Sequence, residues 1–252
     1  HEQIRMGFAA ALINLSVLRQ IEGNLEATQA LNEEALIVAR DIGDPTGVTV
    51  ALGNLAESAM ARGEFDDARR LHAEAVEVSE QLGSNQRLID TWGQLAQIEL
   101  WAGDPAAAAK ASERALGYAE RSGLDHLVAY VTAVVAMEHL LAGDGGVDAV
   151  DAGLRRAAEH RTFLQATGFL VDLLAARVVA DVAQGNLRRA ATALGALRSF
   201  VPDSNNPNGF LVRYMDEAYE EIGEALGSES RNELCEAGAA LDRDGMIDLL
   251  VD

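Results

Sequence analysis

The chain has 252 residues, 49% of them hydrophobic but only 5% aromatic, so it can fold around a core packed mainly by alanine and leucine. Forty acidic residues against 20 basic ones give a formal charge of −20, a field that repels phosphate and anionic lipid and argues against direct nucleic-acid or membrane-surface contact. One cysteine, Cys235, excludes an internal disulfide and reads as a partly buried, inert thiol.

Taken in order, residues 2–21 predict a helix whose apolar residues, among them Ile4, Met6, Phe8, Leu15 and Leu18, spread around most of its circumference. Such a helix expects neighbours on several sides. Upstream repeats, or a second subunit, are therefore expected against it. The chain opens on His1 rather than Met and reads as a piece of something longer. Asn24 is expected to cap a second helix running to Ile42. Asp44-Pro45 opens a third: an acid at the N-cap, then proline where the lost N–H costs nothing. Asp104-Pro105 repeats the device, and Ser84 and Asp125 are the expected caps of two more helices. A fourth pair is expected over Asp125–Arg161, and a fifth turns at Gly185-Asn186-Leu187. A loop follows at Ser199–Gly209, rich in proline and asparagine, then helices over 210–226 and 229–241 and a short one after Asp242. No apolar run approaches the roughly 18 residues of a membrane span. With no signal-peptide pattern at the start, the expected compartment is cytoplasmic.

The organising feature is a period. Gly23, Gly43, Gly63, Gly83, Gly103, Gly123 and Gly143 are spaced by 20, and the columns Leu12/Leu52/Trp92 and Ala35/Ala75/Ala115 recur at 40. Small residues at fixed places between helical stretches mark stacked helix pairs, with glycines alternating between turns inside and between pairs. The expected fold is all-α: a right-handed superhelical solenoid of antiparallel helix pairs with repeats of about 40 residues. About five pairs fill residues 1–200, and capping helices fill 201–252. Ala56 and Ala96 fall where the two helices of a pair should touch, and a larger side chain there would wedge them apart.

Enzyme signatures are missing from the sequence. No glycine-rich loop ends in Gly-Lys-Ser or Gly-Lys-Thr, and the five histidines have no metal-ligand spacing. Asp242-Arg243-Asp244-Gly245 resembles a calcium loop, but Ala240 and Val251 stand where ligating acids belong. The expectation is a non-enzymatic protein with no cofactor and no metal.

The units resemble tetratricopeptide repeats with lengthened helices. The resemblance rests on Leu52, Leu55-Ala56, Gly63, Ala68 and Ala75-Val76 in one copy, and on Trp92, Leu95-Ala96, Gly103, Ala108 and Ala115-Leu116 in the next. It runs from about Phe8 to Phe200. In that family the first helix of each pair lines a concave groove, which implies a ligand column at Asn14, Asn54 and Gln94. Side-chain amides both donate and accept, as an extended peptide requires. Neighbouring columns add Ile13, Val17, Glu57, Met60, Gln97, Trp101, Tyr130 and Met137. The same residues can be read as inter-helix hydrogen bonds and ordinary core.

The stretches ALNEEALIVARDIGD and ALGNLAESAMARGEFDDARRLHAEAVEVSEQLG, with the tail EALGSESRNELCEAGAALDRDGMIDLLVD, are similar to the helical C-terminal regions of bacterial LuxR-type and MalT-like signal-transduction ATPase regulators. That resemblance implies a regulatory sensor domain of a larger transcriptional regulator. Its groove would hold a protein, a peptide or a small inducer, and self-association could run through the N-terminal helix. The alternative is a free-standing scaffold joining two proteins.

Overall fold

A computed structural model describes residues 2–166, 168–200 and 210–251. These residues form a helical solenoid, and no strand occurs among them. The first four pairs are α1 (Glu2–Ile21) with α2 (Leu25–Ile42), α3 (Pro45–Ala61) with α4 (Phe65–Leu82), α5 (Asn85–Ala102) with α6 (Pro105–Ser122), and α7 (Asp125–Ala142) with α8 (Val147–Ala158). A short helix, α9 (Arg161–Ala166), precedes the fifth pair, α10 (Leu170–Gln184) and α11 (Leu187–Phe200). Three more complete the chain: α12 (Phe210–Leu226), α13 (Ser228–Ala239) and α14 (Arg243–Asp248).

The local chemistry explains the boundaries. Asn24, Asp44 and Asp104 each accept a backbone N–H of the first turn, from Ala27, Thr46 and Ala107 respectively, at 2.9–3.1 Å. Each bond satisfies a donor that the helix itself leaves unpaired. At the other end, Gly103 adopts φ +87° and returns its N–H to the last turn of α5. A residue with a Cβ is strained there, so glycine both stops the helix and sets the reversal. The other six glycines of the ladder share this left-handed geometry.

Several boundaries differ from expectation. Leu124, not Asp125, holds the N-cap of α7 and makes no side-chain cap bond. Asp125 lies one residue inside, where its charge meets the positive end of the helix dipole. The second helix of the fourth pair breaks after Ala158, so the segment to Ala166 is a helix, a turn and a separate short helix. Ser199 and Phe200 belong to α11 rather than to the expected loop, whose remaining residues 201–209 fall outside the described ones. By length and composition α7 is also apolar enough to cross a membrane, contrary to the expectation that no stretch is. Its apolarity has a nearer cause, because α6, α8 and α10 all pack against it.

Packing divides into two regimes. Small clusters serve the first pairs, around Leu52 and Leu36 and around Ala56 and Ile98. A large continuous core runs from Ala96 and Leu100 of α5 through α7, α10 and α11 to Ile247 and Leu250 at the end. Within it, α11 and α13 approach backbone to backbone. A Cβ on Gly195 would stand 2.0 Å from the carbonyl oxygen of Cys235, and one on Gly238 would stand 1.9 Å from that of Thr192. Cys235 itself is half-buried, its Sγ 3.3 Å from the Ala191 carbonyl oxygen, and burial pushes its thiol pKa up.

The C-terminal end is fastened by charge. Arg177 of α10, 2% exposed, pairs with Asp151 at 2.7 Å and with Asp181 at 3.1 Å. Asp181, fully buried, also accepts three bonds from Arg189, two from Nε and one from Nη2, at 2.7–3.0 Å. On the surface Arg161 holds Asp244 and Asp248, tying α14 to α9. Helix α12 packs on α11 and α13 and reaches back to touch α5.

Candidate binding cavity between the third and fourth helix pairs

First helices of successive pairs touch at α1–α3, α3–α5 and α7–α10. Between α5 and α7, beside the packed Ile89 and Leu127, the chain leaves a cavity of about 370 Å³, within the range of small-ligand sites. Sequence explains the space. Gly93 faces it, and a Cβ there would meet nothing within 4 Å, while Ala96 and Ala115 present only methyl groups.

Helix α5 contributes Gln94, Gln97 and Trp101 to the wall, and α7 contributes Tyr130, Met137 and Glu138. Phe169, at the start of α10, and Asp172, one turn into it, close the third side, and Ser112 of α6 closes the back. The Tyr130 ring stacks on Phe169 with centroids 4.3 Å apart, and its hydroxyl donates to Asp172 Oδ2 at 2.6 Å. Burial raises the Asp172 pKa and the Tyr130 hydrogen bond opposes that rise. Tyr130 is itself pushed well up, by burial first and then by the Asp172 charge.

Glu138 is a second perturbed carboxyl of the wall. It is 2% exposed, and its Oε2 has no hydrogen-bond partner. Burial pushes its pKa up to about 7, with the Ser112 hydroxyl pulling it down and the charge of Asp172 adding to the rise. A buried acid poised near neutrality inside a cavity points to function with a stated physical cause.

The residues of the expected groove divide in two. Gln94, Gln97, Trp101, Tyr130 and Met137 come together on this one cavity. Asn14, Asn54, Glu57 and Met60 do not line it. Asn14 is exposed. Asn54 donates to Asn32 Oδ1 at 3.2 Å, joining a buried set in which Ser16 donates to the same oxygen. Glu57 is half-buried, its pKa raised by burial and lowered by a hydrogen bond with Gln20. Met60 packs with Ala56, Ala68 and Ile98. Gln94 has a second neighbourhood as well. Its amide lies beside buried His72 and against Gly53, where an added Cβ would stand 3.1 Å from Gln94 Oε1.

Sequence reading missed Glu138, Asp172 and Phe169 as members of the site. A signal existed: Glu138 interrupts VTAVVAMEHLLA and Asp172 interrupts LVDLLAARVVA, two of the most apolar stretches in the chain. An acid inside an apolar helix implies either a partner or a purpose.

Stacked antiparallel pairs with a cavity on the first-helix side define a helical-repeat scaffold. Residues 47–121 match the tetratricopeptide repeat family, so the middle of the chain carries such repeats. No curated protein matches the chain significantly. The fold is similar to that of BtubC (BKLC) from P. vanneervenii, whose crystal structure superposes with a TM-score of 0.54 at 22% identity, covering 84% of this chain and 78% of that one. At that identity the likeness concerns the fold. Repeats of this kind generally mediate protein–protein interaction and are typically non-enzymatic scaffolds, and the matches indicate no catalytic family.

Proposed function

We propose that this chain is a binding module whose working surface is the face shared by α5, α7 and α10, and that it serves as the sensor domain of a larger bacterial transcriptional regulator of the LuxR or MalT-like kind. The observation that carries the binding reading is the cavity between α5 and α7, which gathers Gln94, Gln97 and Trp101 beside Tyr130. Trp101 is half-buried and offers a large apolar area with one donor, the profile of an anchor residue. The regulatory context is supported by the resemblance of the repeats and of the tail over 224–252. Occupancy would alter the spacing of α5 and α7 and so the curvature felt by an attached output domain. On this reading residues 1–200 are the repeats and 201–252 the cap, and the module works in the cytoplasm.

Self-association belongs to the same proposal, since α1 leaves Ile4 74% exposed, Leu18 56% and Phe8 47%. A free-standing scaffold is the alternative, and the flanking sequence of the full gene product separates the two. The test is a reporter of output from the full-length protein. Trp101→Ala should abolish the response to the natural partner while the melt stays cooperative, at a melting temperature lowered by the lost packing on Ala56, Met60 and Ile98. A response unchanged after deletion of residues 1–252 would overturn the sensor reading.

A further inference from the structure

The α5–α7–α10 cavity has a chemistry that narrows its occupant. Its polar atoms are unbalanced: Glu138, Asp172 and Asp90 present carboxyls and Gln94 and Gln97 present amides, while among the described residues no Lys or Arg lines it. Of the two hydroxyls beside the acids, Tyr130 already donates to Asp172 and Ser112 bonds to Glu138. Glu138 lines the space, 2% exposed, and its Oε2 has no hydrogen-bond donor. A buried acceptor left without a donor costs free energy that a ligand can return.

Around these acids the walls are apolar and aromatic. Ile89, Leu127, Val131 and Val134 make the sides, and Trp101 and the stacked Tyr130–Phe169 pair border the same space. Aromatic faces attract cations, and apolar walls take hydrocarbon. In their charged forms the three carboxyls repel an anion, and a neutral ligand supplies no counter-charge to them. A cation with N–H donors on a hydrocarbon stem satisfies every group at once. From this we infer that the cavity is a recognition site for an ammonium group on an apolar stem, with Glu138 and Asp172 as the charge partners and Trp101 and Tyr130 as the flanking rings. The inference rests on the binding-module reading above and gives its occupant a chemical class.

The two sources of that chemistry are a lysine side chain of a partner protein and a free alkylamine. Glu138 can meet either. Near neutrality it is poised between its two forms, and a bound ammonium favours the carboxylate, so its proton passes to solvent on binding. The groups that act on it are Asp172 from α10, the Ser112 hydroxyl from α6 and His139 beside it on α7, and Asp90 of α5 lines the same cavity. Only His139 is a base, and Asp144 and Glu113 hold it at 2.9 and 3.1 Å.

The test is isothermal titration of the 252-residue chain at neutral pH with three probes: n-pentylamine, Nα-acetyl-lysine methylamide, and the latter acetylated on Nε. Both amines should bind, the Nε-acetylated probe should not, and the heat should change with the ionisation enthalpy of the buffer. Tighter binding of pentylamine assigns the site to a free amine, and tighter binding of the lysyl probe assigns it to a partner's lysine. Glu138→Gln and Asp172→Asn should each weaken binding about tenfold or more. Gly93→Leu, which grows into open space, should block the site while the melt stays cooperative. Three results would overturn the inference: no heat from either amine at about 10 mM, equal binding of the acetylated probe, or full affinity in Glu138→Gln. Should a peptide then be found that binds in a Trp101-dependent manner without a lysine, the groove reading stands and the amine site does not.

Discussion

Tyr130 donates its hydroxyl hydrogen to Asp172 at 2.6 Å, joining α7 to α10 across 42 positions of sequence. The bond opposes the burial that raises the Asp172 pKa, so each residue sets the other's environment. Tyr130→Phe keeps the stack on Phe169 and removes only the donor. It should cost about 1.5–3 kcal/mol at neutral pH, the range for a hydrogen bond to a charged group. Below the Asp172 pKa the carboxyl is neutral and the loss should shrink. Urea unfolding at two pH values checks this, and a loss independent of pH would contradict it.

Two buried groups pull stability in opposite directions with pH. Burial lowers the His72 pKa from 6.5 to about 4, so the unfolded chain takes up that proton first and stability falls as pH drops from about 6.5 to 4. The full effect is on the order of 3 kcal/mol. Burial raises the Glu138 pKa from 4.5 to about 7, so its contribution is present in full below about 4.5 and is lost as pH rises through 7. The slopes oppose each other between about pH 4.5 and 6.5. Glu138→Gln should therefore steepen the loss of stability in acid, and His72→Gln should reverse its sign. Denaturation midpoints across that range decide it, and a Glu138→Gln curve parallel to wild type would refute the assignment.

Ala56 and Ala96 occupy the same column of the repeat, 1% and 2% exposed, yet they should respond differently to enlargement. Ala56 packs among Ala59, Met60, Ala68 and Ile98, and Ala56→Leu should cost about 1–3 kcal/mol by overpacking. Ala96 borders the cavity, where added methyls find room. Calorimetric melts should show the smaller loss for Ala96→Leu. Equal losses would mean that the cavity wall does not yield.

Arg177 and Arg161 both bridge to acids, but burial separates their worth. Arg177→Met strips Asp151 of its arginine partner and leaves Asp181 with Arg189 alone, which should cost about 3–5 kcal/mol. Arg161 is 41% exposed by side chain, and Arg161→Ala should leave the melting temperature essentially unchanged. Thermal melts of the two variants make the comparison, and equal shifts would show that solvent screening is not what distinguishes them.

Much of the fold was legible because local chemistry repeats. The glycine ladder and the Asp-Pro openings each act within a few residues, so sequence alone locates the turns from Gly23 to Gly143. The fourth pair was harder. Nothing local in AAEHRTFL marks the break after Ala158, which depends on how α8 meets its neighbours. The return of α12 to α5 is a long-range contact with no sequence period behind it. The cavity was half legible. Its tryptophan, tyrosine and glutamines sit in repeat columns, whereas Glu138 and Asp172 lie on different helices and acquire meaning only when α7 and α10 bring them to one space.

The glycine seam of α11 and α13 has a mechanical consequence. Where backbones touch without intervening side chains, neither helix can roll or slip without collision, so that end of the solenoid behaves as a rigid plate. Compliance is left to the loosest joint between first helices, the α5–α7 gap. A guest lodged there would act as a shim, converting its own width into a tilt of everything on the far side.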